Sequence, residues 1–207
     1  MIFCEGETEE QALPIFAEKY FGSSIFNLGI NIISVDGYRK YSPFITLARS
    51  LKISWFIFSD GEDSVINSIL KTIKINDIDK IIDLPNQYNF EQYLLANYSD
   101  DVKLAIVEYL TSNSTSDEFN IIKKQEIDNW EHDEIKDYME NHKTKLSPLY
   151  AKIILSKYED KRMMPDKIRQ LFVLICQELN IESPIEKYWK HRHLVKTLKS
   201  ILSKKEE

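Results

Sequence analysis

Residues 54–59 read SWFIFS, with four large apolar side chains in succession from Trp55 to Phe58. So short a run, without polar alternation, predicts a strand covered on both faces, as in a parallel sheet sandwiched between helices. The flanking sequence has the alternation that such a sheet requires. Ile2, Phe3 and Cys4 predict a first strand cut short at its beginning, and Leu13, Phe16, Ala17 and Tyr20 then recur at helical spacing. Thr8 and Gln11 stand at capping-box spacing, while Pro14 predicts a helix that kinks there or starts near it. Residues 31–35 (NIISV) predict a second strand closed by Asp36-Gly37, residues 43–51 a short helix, 64–74 a further helix and 80–84 (KIIDL) a fourth strand. From Phe90 onward the periodicity is helical only, over 90–98, 101–111, 117–128, 131–141, 147–158, 165–179 and 186–203, with the polar loop 111–116 as the weakest joint. The expected fold class is α/β: a parallel-sheet core with helices on both faces over residues 1–98, followed by a helical C-terminal portion over 99–207.

Composition narrows the class. A chain of 207 residues with 43% hydrophobic content can bury a real core, which excludes a disordered protein. Only 5 Gly and 6 Pro argue against a long linker or a turn-rich β-sandwich. Without a run of 18 apolar residues or a signal-like start, a soluble cytoplasmic protein with no membrane partner is expected. Cys4 and Cys176 lie far apart in apolar surroundings, as buried free thiols do. The net charge of −6 runs against a nucleic-acid binder. Bound metal ions would offset an acidic site, however, and residues 187–205 carry seven Lys or Arg and no acid.

The acids are not scattered. Glu5 follows the first strand with Glu9 four residues on; Asp60 follows the third, with Glu62 and Asp63 next; Glu91 comes after the fourth. In an open parallel sheet ligands collect outside the carboxyl ends of the strands, so these loops converge on one edge. Two carboxylates about 4 Å apart repel by roughly 4 kcal/mol at an effective dielectric near 20, so such a cluster calls for cations. Hard oxygen donors suit Mg²⁺ or Mn²⁺, and two such ions can clamp the attacking and departing oxygens of a phosphodiester. Each acid also has an ordinary explanation. Glu7 and Glu10 are expected to be solvated at a helix N-terminus, acids after a strand are common helix-start residues, and Glu91 taken alone reads as a surface helix residue.

Taken in order, these residues resemble a Toprim domain, whose pattern is a Glu after the first strand and Asp-x-Asp after the third; here these are Glu5 and Asp60-Gly61-Glu62. The nearer resemblance is to the nuclease half of OLD-family (overcoming lysogenization defect) endonucleases. It rests on CEGETEEQALP with Glu5 and Glu9, VDGYRKYSPFITLARSLKISWFIFSDGED, NQYNFEQYLL with Glu91, HKTKLSPLYAKIIL and MMPDKIRQLFVLI, and it runs through residues 1 to about 180. It implies two ions, one on Glu5, Asp60 and Glu62 and the other on Glu9 and Glu91. It also implies a lysine that steadies the transferring phosphoryl group; Lys145 is preferred over Lys143 as nearer the expected helix start. Two departures stand out: Glu62 replaces the second Asp of the motif, and Asn89 falls where an acid would add charge to the second metal site.

Other features are less specific. His132, His142, His191 and His193 lack zinc-site spacing and are expected at the surface. In the last helix Leu194, Leu198 and Ile201 share one face, leaving Arg192, Lys196 and Lys199 as either a solvated face or a basic track for a DNA backbone. OLD-family relatives carry an ATPase domain upstream, expected to dimerise and to gate DNA access, and no GxxxxGK[ST] loop occurs here. An excised nuclease half, a shortened product, or a module whose ATPase is a separate subunit is therefore expected. The function implied is a metal-dependent DNA endonuclease or nickase of phage defence or DNA processing. The alternatives are a catalytically silent Toprim-like interaction module and a topoisomerase- or primase-type domain.

Overall fold

The computed structural model describes residues 1–157, 164–181 and 183. Arg192, Lys196, Lys199, His191, His193 and the helix expected over 186–203 lie outside the described residues.

Four short strands form one parallel sheet: β1 (Ile2–Cys4), β2 (Ile32–Ser34), β3 (Phe56–Ser59) and β4 (Ile81–Asp83), in the order β2-β1-β3-β4. Ile2 is in register with both Ile32 and Phe56, and Ile57 pairs with Ile81. The apolar run that predicted a doubly covered strand is β3, all of whose residues are buried. Successive side chains of a strand point to opposite faces, and the core divides accordingly. Ile2, Phe56, Phe58 and Ile82 join one hydrophobic cluster, while Phe3, Ile57 and Ile81 join another.

Nine α-helices are found among the described residues. The smaller cluster is closed by α2 (Tyr41–Ser50) and α3 (Asp63–Leu70), through Tyr41, Ile45, Ala48, Val65 and Ile69. The larger face is covered by α1 (Glu7–Phe21) and by helices that follow the sheet: α4 (Phe90–Asn97), α5 (Ser99–Thr111), α6 (Asp117–Asp128), α7 (His132–Asn141), α8 (Lys143–Lys157) and α9 (Asp166–Leu179). Residues from both halves of the chain thus share one core: Phe16 and Tyr20 of α1 lie in the same cluster as Leu146, Tyr150 and Phe172. The phenol of Tyr93 in α4 donates to Asp166 at the head of α9, and Lys157 pairs with the buried Asp101 of α5.

Three local expectations change. First, α1 starts at Glu7 and runs through Pro14, with Gly6 as its N-cap. Thr8 and Gln11 therefore do not form a capping box. The Thr8 hydroxyl donates to Glu91, and Gln11 accepts from Ser147 of α8 at 3.1 Å. Second, α8 begins at Lys143 rather than at 147, because the His142 carbonyl at the end of α7 accepts from the N–H groups of Lys145 and Leu146, at 3.1 and 3.0 Å. Third, His142 is a half-buried residue whose ring stacks on Tyr138 at 4.1 Å, whereas His132 is exposed. Cys4 and Cys176 are buried and free. Among the described residues, no helix is long and apolar enough to cross a membrane.

Phe58 is fully buried and meets Phe90 edge-on, with ring centroids 5.9 Å apart, so it joins the sheet to α4. Phe58→Ala should cost about 3–5 kcal/mol of unfolding free energy, read from the urea midpoint.

Candidate metal centre

Each candidate acid is delivered by the loop at the carboxyl end of a strand. Glu5 directly follows β1, and its carbonyl accepts from the Gly37 N–H at 3.0 Å, which ties the β1 loop to the β2 loop. Gly6, extended at φ −134°, ψ 180°, then turns the chain into α1, placing Glu9 in the first turn. A helix N-terminus favours negative charge, but Glu9 is buried, only 4% exposed. A side chain on Gly6 would begin 3.3 Å from a Glu9 carboxylate oxygen, so the bare backbone leaves that carboxylate its room.

Asp60 follows β3. Beside it, Gly61 donates its N–H to the Tyr88 carbonyl at 2.9 Å, and a Cβ there would fall 1.9 Å from the Leu84 carbonyl oxygen. Glycine is thus required because the β3 loop lies against the backbone of the β4 loop. That second loop is a 3-10 turn, Pro85–Gln87, with Asn86 and Gln87 left-handed at φ 57° and 58°. It delivers Asn89 as the N-cap of α4. The Asn89 side-chain oxygen, Oδ1, accepts from the Gln92 N–H at 2.8 Å, and the Gln92 side-chain oxygen accepts from the Asn89 N–H at 3.1 Å. Asn89 is therefore engaged in starting the helix that carries Glu91.

Glu91 is buried, not a surface helix residue. One of its oxygens, Oε1, accepts from the Thr8 hydroxyl at 2.8 Å and lies 3.5 Å from the Lys143 ammonium. Glu5, Glu9, Asp60 and Glu91 line one cavity of about 510 Å³, together with Thr8, Asp36, Gly37, Lys143 and other residues of the α1 start and the α7–α8 turn. Glu62, the N-cap of α3, is exposed and does not line it. Both lysines are exposed; Lys143 is on the cavity wall and Lys145 is not. Glu10, expected to be solvated, accepts from the Ser34 N–H at 3.1 Å. The roles of Thr8, Glu10 and Asp36 at the cavity carried no signal in the sequence, since they depend on which face of α1 meets α4 and which loop meets β2.

The electrostatics follow from this crowding. Burial pushes Asp60 up to about 9, helped by the charges of Glu9, Glu5, Glu91 and Glu62. Burial likewise raises Glu9 to about 7, helped by Glu91 and Glu5 and opposed by its backbone hydrogen bond and by Lys143. Burial and the same acids raise the phenol of Tyr41, behind the site, well above its ordinary value. A buried Asp60 oxygen, Oδ1, has no hydrogen-bond partner among the described residues. An all-carboxylate donor set with such an oxygen suits a hard divalent cation. Among the described residues, however, no group of three or more His, Cys, Asp or Glu is gathered closely enough to hold a metal ion. The acids share a cavity without standing at ligand spacing.

Comparison with known proteins agrees with this geometry. Residues 1–63 match the family model described as overcoming lysogenization defect protein-like, TOPRIM domain. The stretch from β1 to the start of α3, with Glu5, Glu9, Asp60 and Glu62, is therefore a Toprim match of the OLD-like kind. The C-terminal region of the Burkholderia pseudomallei OLD protein has the same fold, with a TM-score of 0.59 at 20% identity, covering 86% of this chain and 96% of that one. So does the C-terminal region of the Xanthomonas campestris pv. campestris OLD protein in the structure phased with platinum, with a TM-score of 0.60 at 21% identity, covering 86% and 92%. No curated protein matches. The Toprim-like α/β core followed by helices is thus the fold of OLD C-terminal regions.

Two outcomes follow from the site as built. Gly61→Ala should force the β3 and β4 loops apart and cost about 1–3 kcal/mol of unfolding free energy, measured by chemical denaturation. The pH dependence has a definite sign. Asp60 and Glu9 hold protons in the folded chain that the unfolded chain releases near pH 4, so these two groups make stability fall as pH rises from about 4 toward 7 for Glu9 and 9 for Asp60. In chelator, Asp60→Asn should melt higher than the unsubstituted protein at pH 8, with the difference shrinking toward pH 4. Thermal melts across that range check both.

Proposed function

We propose that this chain is the nuclease module of a divalent-cation-dependent DNA endonuclease or nickase. What supports it most is the gathering of Glu5, Glu9, Asp60 and Glu91, from loops after three parallel strands, on the wall of one cavity. Glu5, Asp60 and Glu62 would hold one ion, Glu62 reaching in from outside the wall through its longer side chain, and Glu9 and Glu91 would hold the second. When bound, Mg²⁺ or Mn²⁺ supplies charge neutralisation and Lewis-acid stabilisation to the two oxygens exchanged at phosphorus.

The chain's own residues bind and orient. Thr8 fixes one Glu91 oxygen and so orients the carboxylate on the cavity wall. Lys143, on the wall, is assigned the stabilisation of the phosphoryl anion or departing oxygen in preference to Lys145. Arg192, Lys196 and Lys199 are assigned to the DNA backbone. An ATPase domain or subunit, with a homodimer formed through it, belongs to the same proposal by analogy with OLD proteins. A second reading, a catalytically silent interaction module, is favoured by one observation: no ready three-ligand group exists among the described residues.

Nicking of supercoiled plasmid with Mg²⁺ or Mn²⁺ decides between them. The endonuclease reading expects open circles in metal and none in chelator, with Glu5→Gln and Asp60→Asn slowing nicking by about 10²–10³-fold. Lys143→Ala should slow it more than Lys145→Ala. Intact plasmid at every metal concentration, with and without an ATPase partner, would mean the silent module. Protein covalently trapped on DNA would mean a topoisomerase-type domain.

A further inference from the structure

Glu10 was expected to be an ordinary solvated residue of the first helical turn, and its environment argues otherwise. β2 is an edge strand whose only ladder partner among the described residues is β1. The Val35 N–H is taken by the Cys4 carbonyl at 2.9 Å. Alternate N–H groups of a strand point in opposite directions, so that of Ser34 faces away from the ladder. The Glu10 carboxylate accepts it at 3.1 Å. The Ser34 hydroxyl then donates to the Glu5 carbonyl at 3.3 Å and accepts from the Asp36 N–H at 3.2 Å. Gly37 donates to that same Glu5 carbonyl at 3.0 Å. One serine, held by one carboxylate, thus fixes the spacing between the main chain of Glu5 and that of Asp36, and both residues line the acidic cavity.

We propose that Glu10 and Ser34 are positioning residues of the cation pocket: Glu10 orients Ser34, and Ser34 locks the β1 and β2 loops at the separation that holds Glu5 on the cavity wall. This rests on the metal-dependent reading above. Glu10 acts through its oxygen as an acceptor of the Ser34 N–H, not through its charge, so a side-chain amide oxygen should serve in its place. Partners that orient metal ligands typically contribute 10–100-fold in affinity.

The test is Mn²⁺ binding to the full chain, read as free Mn²⁺ by electron paramagnetic resonance, well below the melting temperature and without DNA. Glu10→Ala should weaken Mn²⁺ binding by about 10-fold, with Glu10→Gln recovering most of the loss. Ser34→Ala, which removes both hydroxyl bonds while keeping the backbone, should weaken it by about 10-fold and carries the test if Glu10→Ala does not fold. Mn²⁺ affinity unchanged in folded Glu10→Ala or in Ser34→Ala overturns the proposal and leaves the metal reading standing. So does a Glu10→Gln variant as weak as Glu10→Ala, because charge would then be what matters. Failure of the unsubstituted chain to bind Mn²⁺ sinks the metal reading itself, and the positioning role with it.

Discussion

The structure depends on a repulsion that it does not relieve by distance. Loops after β1, β3 and β4 bring Glu5, Glu9, Asp60 and Glu91 to one cavity, and Glu9 and Glu91 are buried there. Burial disfavours a carboxylate, and each ionised neighbour disfavours it further. Without a cation the chain answers with protons on Asp60 and Glu9, and with Thr8 and Lys143 on Glu91. These are partial answers. A structure that holds protonated acids and a buried Asp60 oxygen without a partner among the described residues retains a strain that an apolar lining of the same shape would not have. Such local costs are typical of functional sites, where stability is given up for chemistry.

The sheet was legible because its signal is local. An unbroken apolar run means a strand buried on both faces, and the alternation of strands with helical periods then leaves few topologies open. The strands came out shorter than their apolar runs: 31–35 became Ile32–Ser34 and 80–84 became Ile81–Asp83. The convergence of acids could also be read, since it needs only the rule that loops at the carboxyl ends of parallel strands meet. What could not be read was which side chain faces which. Thr8 sits at capping-box spacing and, as a matter of sequence, should cap; its hydroxyl instead crosses 83 positions of sequence to Glu91. A local pattern lost to a long-range partner because α1 starts at Glu7, about two turns before Pro14, which places Thr8 inside the helix rather than at its cap.

The two lysines illustrate the same limit. Their ranking depended on where α8 begins, and helix starts are among the least certain features of a sequence. Once the His142 carbonyl closes the first turn of α8, Lys143 and Lys145 stand two residues apart in one helix, about 200° around its axis. They cannot both face the acids. Burying Leu146 and Tyr150 against the core turns Lys143 to the cavity and leaves Lys145 off its wall. Apolar packing, not the charges themselves, thus selects which cation meets Glu91.

The four loops at the sheet edge are joined in pairs by backbone. Glu5 accepts from Gly37, joining the β1 and β2 loops; Leu84 donates to Ser59, and Gly61 to Tyr88, joining the β3 and β4 loops. Across the middle, beyond the strand ladder itself, the contacts are of another kind: Thr8 and Lys143 both reach a single oxygen of Glu91. Main-chain bonds of the first kind fix each pair, because breaking one leaves a backbone group without its partner. Side-chain contacts of the second kind can be exchanged, since a hydroxyl and an ammonium can turn away when a stronger partner for the carboxylate arrives. The edge is therefore built as two fixed halves with an adjustable seam, and the acids line that seam. This arrangement reconciles carboxylates that share a cavity with their failure to stand at ligand spacing.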